Sequence, residues 1–318
     1  MRRPLKVILA KPRGFCAGVV RAIDIVERAL DDYGAPVYVR HEIVHNRAVV
    51  EDLRARGAVF VESLDAVPEG ALTIFSAHGV SNAVEAEAAG RGLDVIDATC
   101  PLVQKVHAHG RAYAEKGYDV VLIGHAGHPE VEGTRGRVPG RLHVVGTVGE
   151  VAGLEVADPE RVAYITQTTL SLADTREIIA ALTRRFPAVV GPDMRDICYA
   201  TQNRQLAVLR LVEEVQALVV IGSRNSSNSN RLQEIGAAAG IPSRLIDGPA
   251  DLDPAWLFGV DTIGITAGAS APERLVTETV TRLDHFRDVS VEVLDGVEET
   301  VRFRLPARLM TARRALRS

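Results

Sequence analysis

Short runs rich in Val, Ile and Leu alternate along the chain with longer stretches in which apolar residues recur every three or four positions. The short runs predict strands, and the longer stretches predict helices. This alternation is typical of βαβ units, whose parallel sheets carry helices on both faces. The sequence therefore predicts an α/β fold, with strands at residues 5–10, 37–40, 72–77, 93–98, 118–124, 161–166, 217–222, 243–248 and 261–266.

The clearest helical stretches follow predicted strands and cover residues 19–30, 103–115, 201–215 and 271–283. After about residue 286 the pattern changes to VSVEVL, the turn DGVEE and TVRFRLP, which predicts a closing β-hairpin. The chain ends in ARLMTARRALRS, a short basic tail that we expect to be loosely ordered.

Each of the three cysteines, Cys16, Cys100 and Cys198, lies between an apolar run and a predicted helix. Their similar spacing fits three α/β units that each contribute one cysteine from an equivalent corner. No residue-by-residue repeat accompanies this spacing, so the division depends on position and context alone. We predict domains at residues 14–99, 100–197 and 198–286, with residues 1–13 and 287–318 packing onto them.

The number and placement of the cysteines limit their chemistry. An odd number spread over a long chain does not suit a disulfide framework, which leaves core packing, catalysis or metal ligation. A helix N-terminus favours a thiolate, and thiolates bind metals. Three converging thiolates would ligate zinc or an iron–sulfur cluster and leave a position for substrate. The alternative is three unrelated buried cysteines.

Polar loops follow several predicted strands at their carboxyl ends, where parallel sheets bind ligands. The loops GSRNSSNSN and TAGASAPE combine hydroxyl and amide groups with glycine just before predicted helices, which suits a phosphate or diphosphate. Helix capping is the alternative. One cap explains Ser270, whereas the polar run at residues 226–230 exceeds what capping needs.

Four further side chains in such loops are candidates for the same chemistry. His45, His78 and His128 are possible donors to an anion. Glu130, in the motif HPE, is a candidate proton donor if its pocket is dry enough to raise its pKa. Taken singly, each of these is typical of a surface or structural residue, and only the loop position favours a functional role.

The motif HEIVH at residues 41–45 matches the pattern in which two histidines one helical turn apart bind zinc. That chemistry requires a helix. The motif instead follows the strand-like PVYVR and precedes Asn46, a natural N-cap for a helix over RAVVEDLRAR. We therefore do not expect a zinc hydrolase.

Composition and missing motifs exclude several other classes of function. A formal charge of −4 and an isoelectric point near 6.2 do not indicate a nucleic-acid partner, which requires a basic surface. The N-terminal apolar stretch is too short for a signal peptide, and no segment approaches the roughly 20 apolar residues of a membrane span. We expect a cytoplasmic protein without a membrane partner. Because no dinucleotide or P-loop motif is present, electrons for a cluster would come from a separate protein.

Nine motifs, in order between about residues 5 and 305, resemble those of the LytB family of 4-hydroxy-3-methylbut-2-enyl diphosphate reductases, which belong to the non-mevalonate isoprenoid pathway. The motifs are PRGFCAGV, HEIVHNR, FSAHGVS, DATCPLV, GHAGHPEVEGT, TQTTLS, DICYATQNRQ, GSRNSSNSNRL and TAGASAPE. The weaker stretches are residues 134–160 and the basic tail.

The resemblance implies three α/β domains in a pseudo-threefold, trefoil arrangement around a central 4Fe–4S cluster held by Cys16, Cys100 and Cys198. It implies reductive dehydroxylation of (E)-4-hydroxy-3-methylbut-2-enyl diphosphate to isopentenyl diphosphate and dimethylallyl diphosphate. Two electrons would come from an external donor such as ferredoxin or flavodoxin. The open iron would bind the substrate hydroxyl.

The resemblance also implies roles for individual residues. Glu130 would donate a proton to the substrate hydroxyl, with Thr168 beside it and Gln167 as a pocket neighbour, and His128 would have a catalytic role besides binding. The implied diphosphate ligands are His45, His78, His128, Ser226, Ser227, Asn228 and Ser270.

Two alternatives remain at this point. One is another three-cysteine cluster dehydratase, similar to quinolinate synthase, although the Ser/Asn-rich loop and the loop histidines favour a diphosphate over a dicarboxylate. The other is a non-catalytic iron–sulfur redox sensor, which would need neither Glu130 nor a diphosphate pocket.

Overall fold

The computed structural model describes residues 2–192 and 196–310, and the predicted tail beyond residue 310 lies outside the described residues. The α/β prediction is confirmed. The strands are β1 (Pro4–Leu9), β2 (Val37–Arg40), β3 (Ala58–Val61), β4 (Leu72–Phe75), β5 (Asp94–Asp97), β6 (Asp119–Ile123), β7 (Leu142–Val145), β8 (Val162–Thr166), β9 (Ala217–Ile221), β10 (Ser243–Ile246), β11 (Thr262–Ala267) and β12 (Asp288–Val293).

Helices connect most of these strands, as the alternation of patterns predicts. The α-helices are α1 (Ala17–Tyr33), α2 (Arg47–Ala55), α3 (Asn82–Gly90), α4 (Pro101–Glu115), α5 (Pro129–Arg135), α6 (Val148–Ala152), α7 (Leu172–Arg185), α8 (Tyr199–Leu211), α9 (Ser227–Ala238) and α10 (Glu273–Asp284). Short 3₁₀ helices cover Leu64–Ala66, Pro249–Asp251 and Pro254–Leu257.

The strands form three separate sheets, in the orders β10-β9-β11-β1-β12, β3-β2-β4-β5 and β7-β6-β8. Every pair of these strands is parallel, so each connection must cross over through a helix or a long loop. The carboxyl ends of the strands in one sheet consequently meet at one edge, where their loops come together.

By packing, the described chain divides into two compact units. The first comprises residues 2–17, His45–Glu51 and Tyr199–Arg302, and it contains the five-stranded sheet. The second comprises Gly18–Val44, Asp52–Cys198 apart from residues 193–195, and residues 303–310, and it contains the other two sheets. The division into three domains at residues 14, 100 and 198 stays a prediction.

Continuous apolar runs form the central strands because both faces of a parallel sheet are buried. In the first unit, Leu5 and Val7 enter one core while Ile8 enters the core on the opposite face of the same sheet. In the second unit, Val121 enters one core and Val120 enters the core on the opposite face of the sheet. The strictly apolar runs of the sequence therefore mark strands that are covered on both sides.

The predicted C-terminal hairpin is wrong. β12 pairs with β1 in parallel, from Pro4 opposite Asp288 to Leu9 opposite Val293, and residues 294–306 contain no strand. Alternation of apolar and polar residues identifies a strand without identifying its partner. Here α10 carries the chain from β11 back over β1, so β12 becomes a parallel edge strand.

Helices begin directly after each cysteine, as predicted. Cys16 precedes α1, Cys100 is the N-cap of α4, and Cys198 precedes α8. Within the described ranges, no helix is long and apolar enough to cross a membrane.

Candidate functional site

Glu130 lies in the first turn of α5, in the loop region that follows β6 in the second unit. The residue is only 3% exposed. Its carboxylate accepts two hydrogen bonds from one residue: the backbone N–H of Thr168 donates to Oε1 at 2.7 Å, and the Thr168 hydroxyl donates to Oε2 at 2.8 Å. The structure thus brings together the two residues that the family resemblance assigns to the substrate hydroxyl.

Burial governs the protonation of this carboxyl group. Desolvation raises the pKa of Glu130 from 4.5 to about 7, the two Thr168 hydrogen bonds oppose the rise, and the charge of Asp196 adds to it. A carboxyl group with a pKa near neutrality holds a proton in a large fraction of molecules and can also release it, which is the property of a general acid.

Two of the predicted histidines lie together in the second unit. The rings of His78 and His128 are 5.9 Å apart between centroids and stand edge to face. His128 is the N-cap of α5, and its Nδ1 accepts the Glu130 backbone N–H at 3.1 Å. The proton of a neutral His128 imidazole is therefore on Nε2, which makes that nitrogen a hydrogen-bond donor.

Backbone contacts tie two cysteines to these residues. The Cys198 N–H donates to the carbonyl of Thr168 at 3.1 Å, so Thr168 contacts Cys198 through its backbone and Glu130 through its side chain. The Cys100 N–H donates to the carbonyl of Ala77, the residue before His78, at 3.0 Å. Both cysteines are half-buried.

Gln167 is 1% exposed, and both ends of its amide have partners inside the protein. Its Oε1 accepts the His125 backbone N–H at 3.0 Å, and its Nε2 donates to the Thr169 hydroxyl at 3.0 Å. These contacts brace the loops that follow β6 and β8.

In the first unit, predicted ligands from three loops lie together. The Ser270 hydroxyl donates to the carbonyl of His45 at 2.8 Å. The Ala269 N–H donates to Oδ1 of Asn228 at 2.9 Å, and the Ala269 carbonyl accepts the Cys16 N–H at 3.1 Å. The loop that follows β11 therefore contacts the loops that carry His45, Asn228 and Cys16.

For Ser270, the alternative of helix capping, which the sequence left open beside ligand binding, is wrong. α10 begins at Glu273 with Pro272 as its N-cap, and Ser270 bonds to His45 instead. In the polar run, Ser226 is the N-cap of α9 and accepts the Ser229 N–H at 3.3 Å. The first residue of α9, Ser227, is half-buried.

Asn228 carries an unused donor. The residue is 4% exposed, and within residues 2–192 and 196–310 its Nδ2 has no hydrogen-bond partner. Its Oδ1 is held by Ala269, so the side chain cannot turn its Nδ2 away without losing that bond. A buried N–H without a partner is costly, which is a reason to expect an acceptor from a ligand here.

The zinc pattern at residues 41–45 is not on a helix, as expected. α2 begins at Arg47, and the side chain of Asn46 caps it by accepting the Val49 N–H at 3.1 Å. His41 pairs with Glu62 at 2.6 Å instead. Across the described ranges, no group of three or more His, Cys, Asp and Glu side chains is placed to hold a metal ion.

The cysteines individually suit an iron–sulfur cofactor. All three lie in the described part of the chain, half-buried and outside any disulfide bond. The side chain of Cys100 makes no capping hydrogen bond to α4, although the residue occupies the N-cap position. Thiolate ligands at helix N-termini are stabilised by the unpaired N–H groups there, and thiolates are the usual cluster ligands.

Sequence reasoning missed two buried charged residues near these groups. Asp196 has a fully buried side chain that contacts Nδ1 of His109 at 2.9 Å, and its charge raises the pKa of Glu130. Arg204 is fully buried in α8. No local pattern in DMRDIC or TQNRQ distinguishes a buried ion pair from an exposed one.

Comparisons with known proteins identify the family of this chain. The sequence model of the family described as "LytB protein" matches residues 7–284. A 4-hydroxy-3-methylbut-2-enyl diphosphate reductase of Zymomonas mobilis is 59% identical over 96% of this chain and 90% of its own length. A relative of the same name, numbered 1, from Rhodopseudomonas palustris is 60% identical over 96% of this chain and all of its own length.

Solved structures give the same result. The E-1-hydroxy-2-methyl-but-2-enyl-4-diphosphate reductase of Plasmodium falciparum is 35% identical, covers 99% of this chain and 100% of that one, and superposes with a TM-score of 0.93. A structure of (E)-4-hydroxy-3-methyl-but-2-enyl diphosphate reductase, described as the terminal enzyme of the non-mevalonate pathway, is 33% identical over 88% of this chain and 99% of that one, with a TM-score of 0.63.

Proposed function

The chain belongs to the LytB family and is an enzyme of the last step of the non-mevalonate pathway, and we propose that Glu130 is its proton donor. The reaction is the reductive dehydroxylation of (E)-4-hydroxy-3-methylbut-2-enyl diphosphate to isopentenyl and dimethylallyl diphosphates. The C–O bond of the allylic alcohol breaks and a C–H bond forms. Two electrons and two protons are consumed, and the hydroxyl oxygen leaves as water.

The buried Glu130–Thr168 pair supports this proposal most directly. Hydroxide is a poor leaving group, so the oxygen must be protonated as the C–O bond breaks. Glu130 is protonated in a large fraction of molecules near neutral pH because burial raises its pKa to about 7, and Thr168 fixes the orientation of both carboxyl oxygens. Thr168 also offers a hydroxyl that can exchange a hydrogen bond with the substrate oxygen.

We propose that the diphosphate ligands are His45, His78, His128, Ser226, Ser227, Asn228 and Ser270. The buried Nδ2 of Asn228 and the Nε2 proton of His128 support this role, because each is a donor that a phosphate oxygen can accept from. A hydrogen bond to a charged group is stronger than one between two neutral groups, which suits a diphosphate that is removed from water.

The family contains iron–sulfur enzymes, and for this chain we propose a 4Fe–4S cluster held by Cys16, Cys100 and Cys198. Their half-buried positions and the helix that starts after each of them support the assignment. The cluster would supply electrons singly to the substrate.

An external protein such as ferredoxin or flavodoxin would provide these electrons, since no nucleotide-binding motif is present. We propose a cytoplasmic location, because cysteines outside disulfides are typical of reducing compartments.

The decisive experiment combines metal analysis with turnover under anaerobic conditions. The purified protein should contain about 4 iron and 4 sulfide per chain and should convert the allylic diphosphate with an artificial reductant. Glu130→Gln should keep the iron and lose most of the turnover, since the amide cannot donate a carboxyl proton. A colourless protein would exclude the cluster, and normal turnover by Glu130→Gln would exclude this proton donor.

A further inference from the structure

Arg204 is the largest fully buried side chain among the described residues. It lies in α8, and every N–H of its guanidinium has a partner. Nε and Nη2 donate to the carbonyl of Gly14 at 3.0 and 2.6 Å, and Nη1 donates to the carbonyl of Ala200 at 3.0 Å. Nη1 also donates to both carboxylate oxygens of Glu299, at 2.9 and 3.2 Å, and Nη2 donates to Oε2 at 3.2 Å.

Glu299 balances the buried charge. Its side chain is 13% exposed, whereas that of Arg204 is fully buried. A buried guanidinium is tolerated only when its charge is paired and its donors are satisfied, and both conditions hold here. The one contact that is neither charge pairing nor local helix geometry is the double hydrogen bond to Gly14, which is 190 residues away in sequence.

Gly14 begins a loop in which consecutive backbone groups are fixed from outside. Its φ is +69°, a conformation that favours glycine, and its N–H donates to the carbonyl of Ala267 at 3.0 Å. Two residues later, the Cys16 N–H donates to the carbonyl of Ala269. The next N–H, of Ala17, donates to the hydroxyl of Tyr199 at 3.3 Å.

The N-terminal half of α8 thus contacts the backbone on both sides of Cys16. Arg204 holds the carbonyl two residues before it, and Tyr199 accepts the N–H of the residue after it. Backbone groups that are fixed on both sides of a cysteine fix the position of its Cβ and restrict its sulfur. A metal ligand needs this restriction, because ligand positions must be held to within a fraction of an ångström.

We propose that Arg204 is a positioning residue for Cys16, and that its fork on the Gly14 carbonyl fixes the loop that presents Cys16 as a cluster ligand. The inference rests on the proposed function, which assigns Cys16 to the cluster. The guanidinium of Arg204 is fully buried and bonded to Gly14, Ala200 and Glu299, so in this role it acts through the backbone of residues 14–17.

A second arginine of the same unit separates this role from general stability. Arg287 has a side chain 12% exposed and donates to the carbonyls of Arg3, Pro4, Leu257 and Val260. It contacts the start of β1, whereas Gly14 follows the end of that strand. Removing Arg287 therefore removes a comparable set of arginine–carbonyl bonds without touching the Cys16 loop.

The experiment measures iron release from the anaerobically reconstituted full chain to a ferrous chelator, together with thermal unfolding, for Arg204→Met and Arg287→Met. Loss of an outer contact to a metal ligand typically weakens the site about 10- to 100-fold. We expect Arg204→Met to release iron about 10- to 100-fold faster than wild type, and Arg287→Met to release it at close to the wild-type rate although it unfolds at a lower temperature.

Release at the wild-type rate by Arg204→Met would overturn the inference, and so would equal acceleration in both variants. If Arg204→Met does not fold, Arg204→Lys decides, because lysine keeps the charge for Glu299 but loses the planar fork on Gly14. Faster release by folded Arg204→Lys supports the inference, and release at the wild-type rate overturns it. A wild-type chain that binds no iron and sulfide would instead refute the proposed function, and this inference with it.

Discussion

Thr168 donates its backbone N–H to one carboxylate oxygen of Glu130 and its hydroxyl to the other. These bonds stabilise the ionised carboxylate, while burial stabilises the protonated form. Burial has the larger effect, because the pKa of Glu130 rises to about 7 despite both bonds. The same threonine therefore orients the acid and limits how far its pKa rises.

Thr168→Ala should move the alkaline limb of activity to higher pH. The hydroxyl bond lowers the pKa of Glu130, so its loss raises that pKa above about 7. The proton donor must be protonated, and activity is therefore lost as pH rises through this pKa. We also expect kcat to fall about 10-fold or more, as for a poorly held acid. Both effects are measured in the pH profile of turnover.

The matched control for this variant is Thr134→Ala. The Thr134 hydroxyl donates to the backbone carbonyl of Glu130 at 2.8 Å, not to its carboxylate. Its removal should leave the alkaline limb where it is in wild type. A Thr168→Ala profile whose limb moves to lower pH, or does not move, would contradict the role assigned to the hydroxyl.

Glu130→Gln should make stability less sensitive to pH. The pKa of Glu130 is raised from 4.5 to about 7 in the folded state, so the native state binds this proton more tightly than the unfolded chain does. The resulting stabilisation is fully present below about 4.5 and is lost as pH rises through about 7. Its size is roughly 3 kcal/mol, at about 1.4 kcal/mol per pKa unit.

Urea unfolding at a series of pH values measures this effect. Between the acidic and alkaline ends of that window, wild type should lose more stability than Glu130→Gln. Glu132→Gln, which changes an exposed residue on the same helix, should follow wild type. Parallel stability curves for wild type and Glu130→Gln would show that burial does not raise this pKa.

The apolar pattern predicts the central strands of all three sheets but misses two of the edge strands. Runs such as DVVLI in β6 and ALVVI in β9 are buried on both faces, and their apolar pattern is typical of a central strand. β3 and β7, which the pattern missed, are four-residue edge strands with partly exposed residues. Edge strands pair on one side only, so their sequences carry a weaker apolar signal.

For the candidate site, the sequence identifies residues but not the contacts between them. Glu130 and Thr168 are predicted by resemblance, and the structure shows the two hydrogen bonds between them, which no pattern specifies. Ser270 is of a residue type that commonly caps helices, but its hydroxyl donates to the carbonyl of His45, a residue far away in sequence. Asp196 and Arg204 are buried by packing between distant segments, so local sequence gives no signal of their burial.

Gly79→Ala should destabilise the second unit more than Gly70→Ala. Both glycines have positive φ, +80° and +72°, where alanine costs about 1 kcal/mol. A Cβ at Gly79 would also lie 2.9 Å from Cε1 of His107, whereas a Cβ at Gly70 meets nothing within 4 Å. The additional strain should be about 1–3 kcal/mol.

Denaturant unfolding of the two variants checks this difference directly. Gly79→Ala should also raise KM for the diphosphate, because Gly79 adjoins His78, and Gly70→Ala should not. Equal losses of stability would mean that His107 moves aside without cost.

Asn228→Asp should weaken substrate binding more than Asn228→Ala. Alanine removes the buried Nδ2 donor, while aspartate keeps the acceptor for the Ala269 N–H and places a negative charge where the diphosphate is proposed to bind. A hydrogen bond to a charged group contributes about 1.5–3 kcal/mol, so we expect KM to rise about 10- to 100-fold for alanine and further for aspartate. Because the bond is made in ground and transition states alike, kcat should change little. Steady-state kinetics at two salt concentrations measures kcat and KM.

The control is Asn230→Asp, which adds the same charge to α9. The Nδ2 of Asn230 donates to the carbonyls of Arg224 and Ser226. An equal rise in KM for Asn228→Asp and Asn230→Asp would assign the effect to charge on the helix and not to the Asn228 donor.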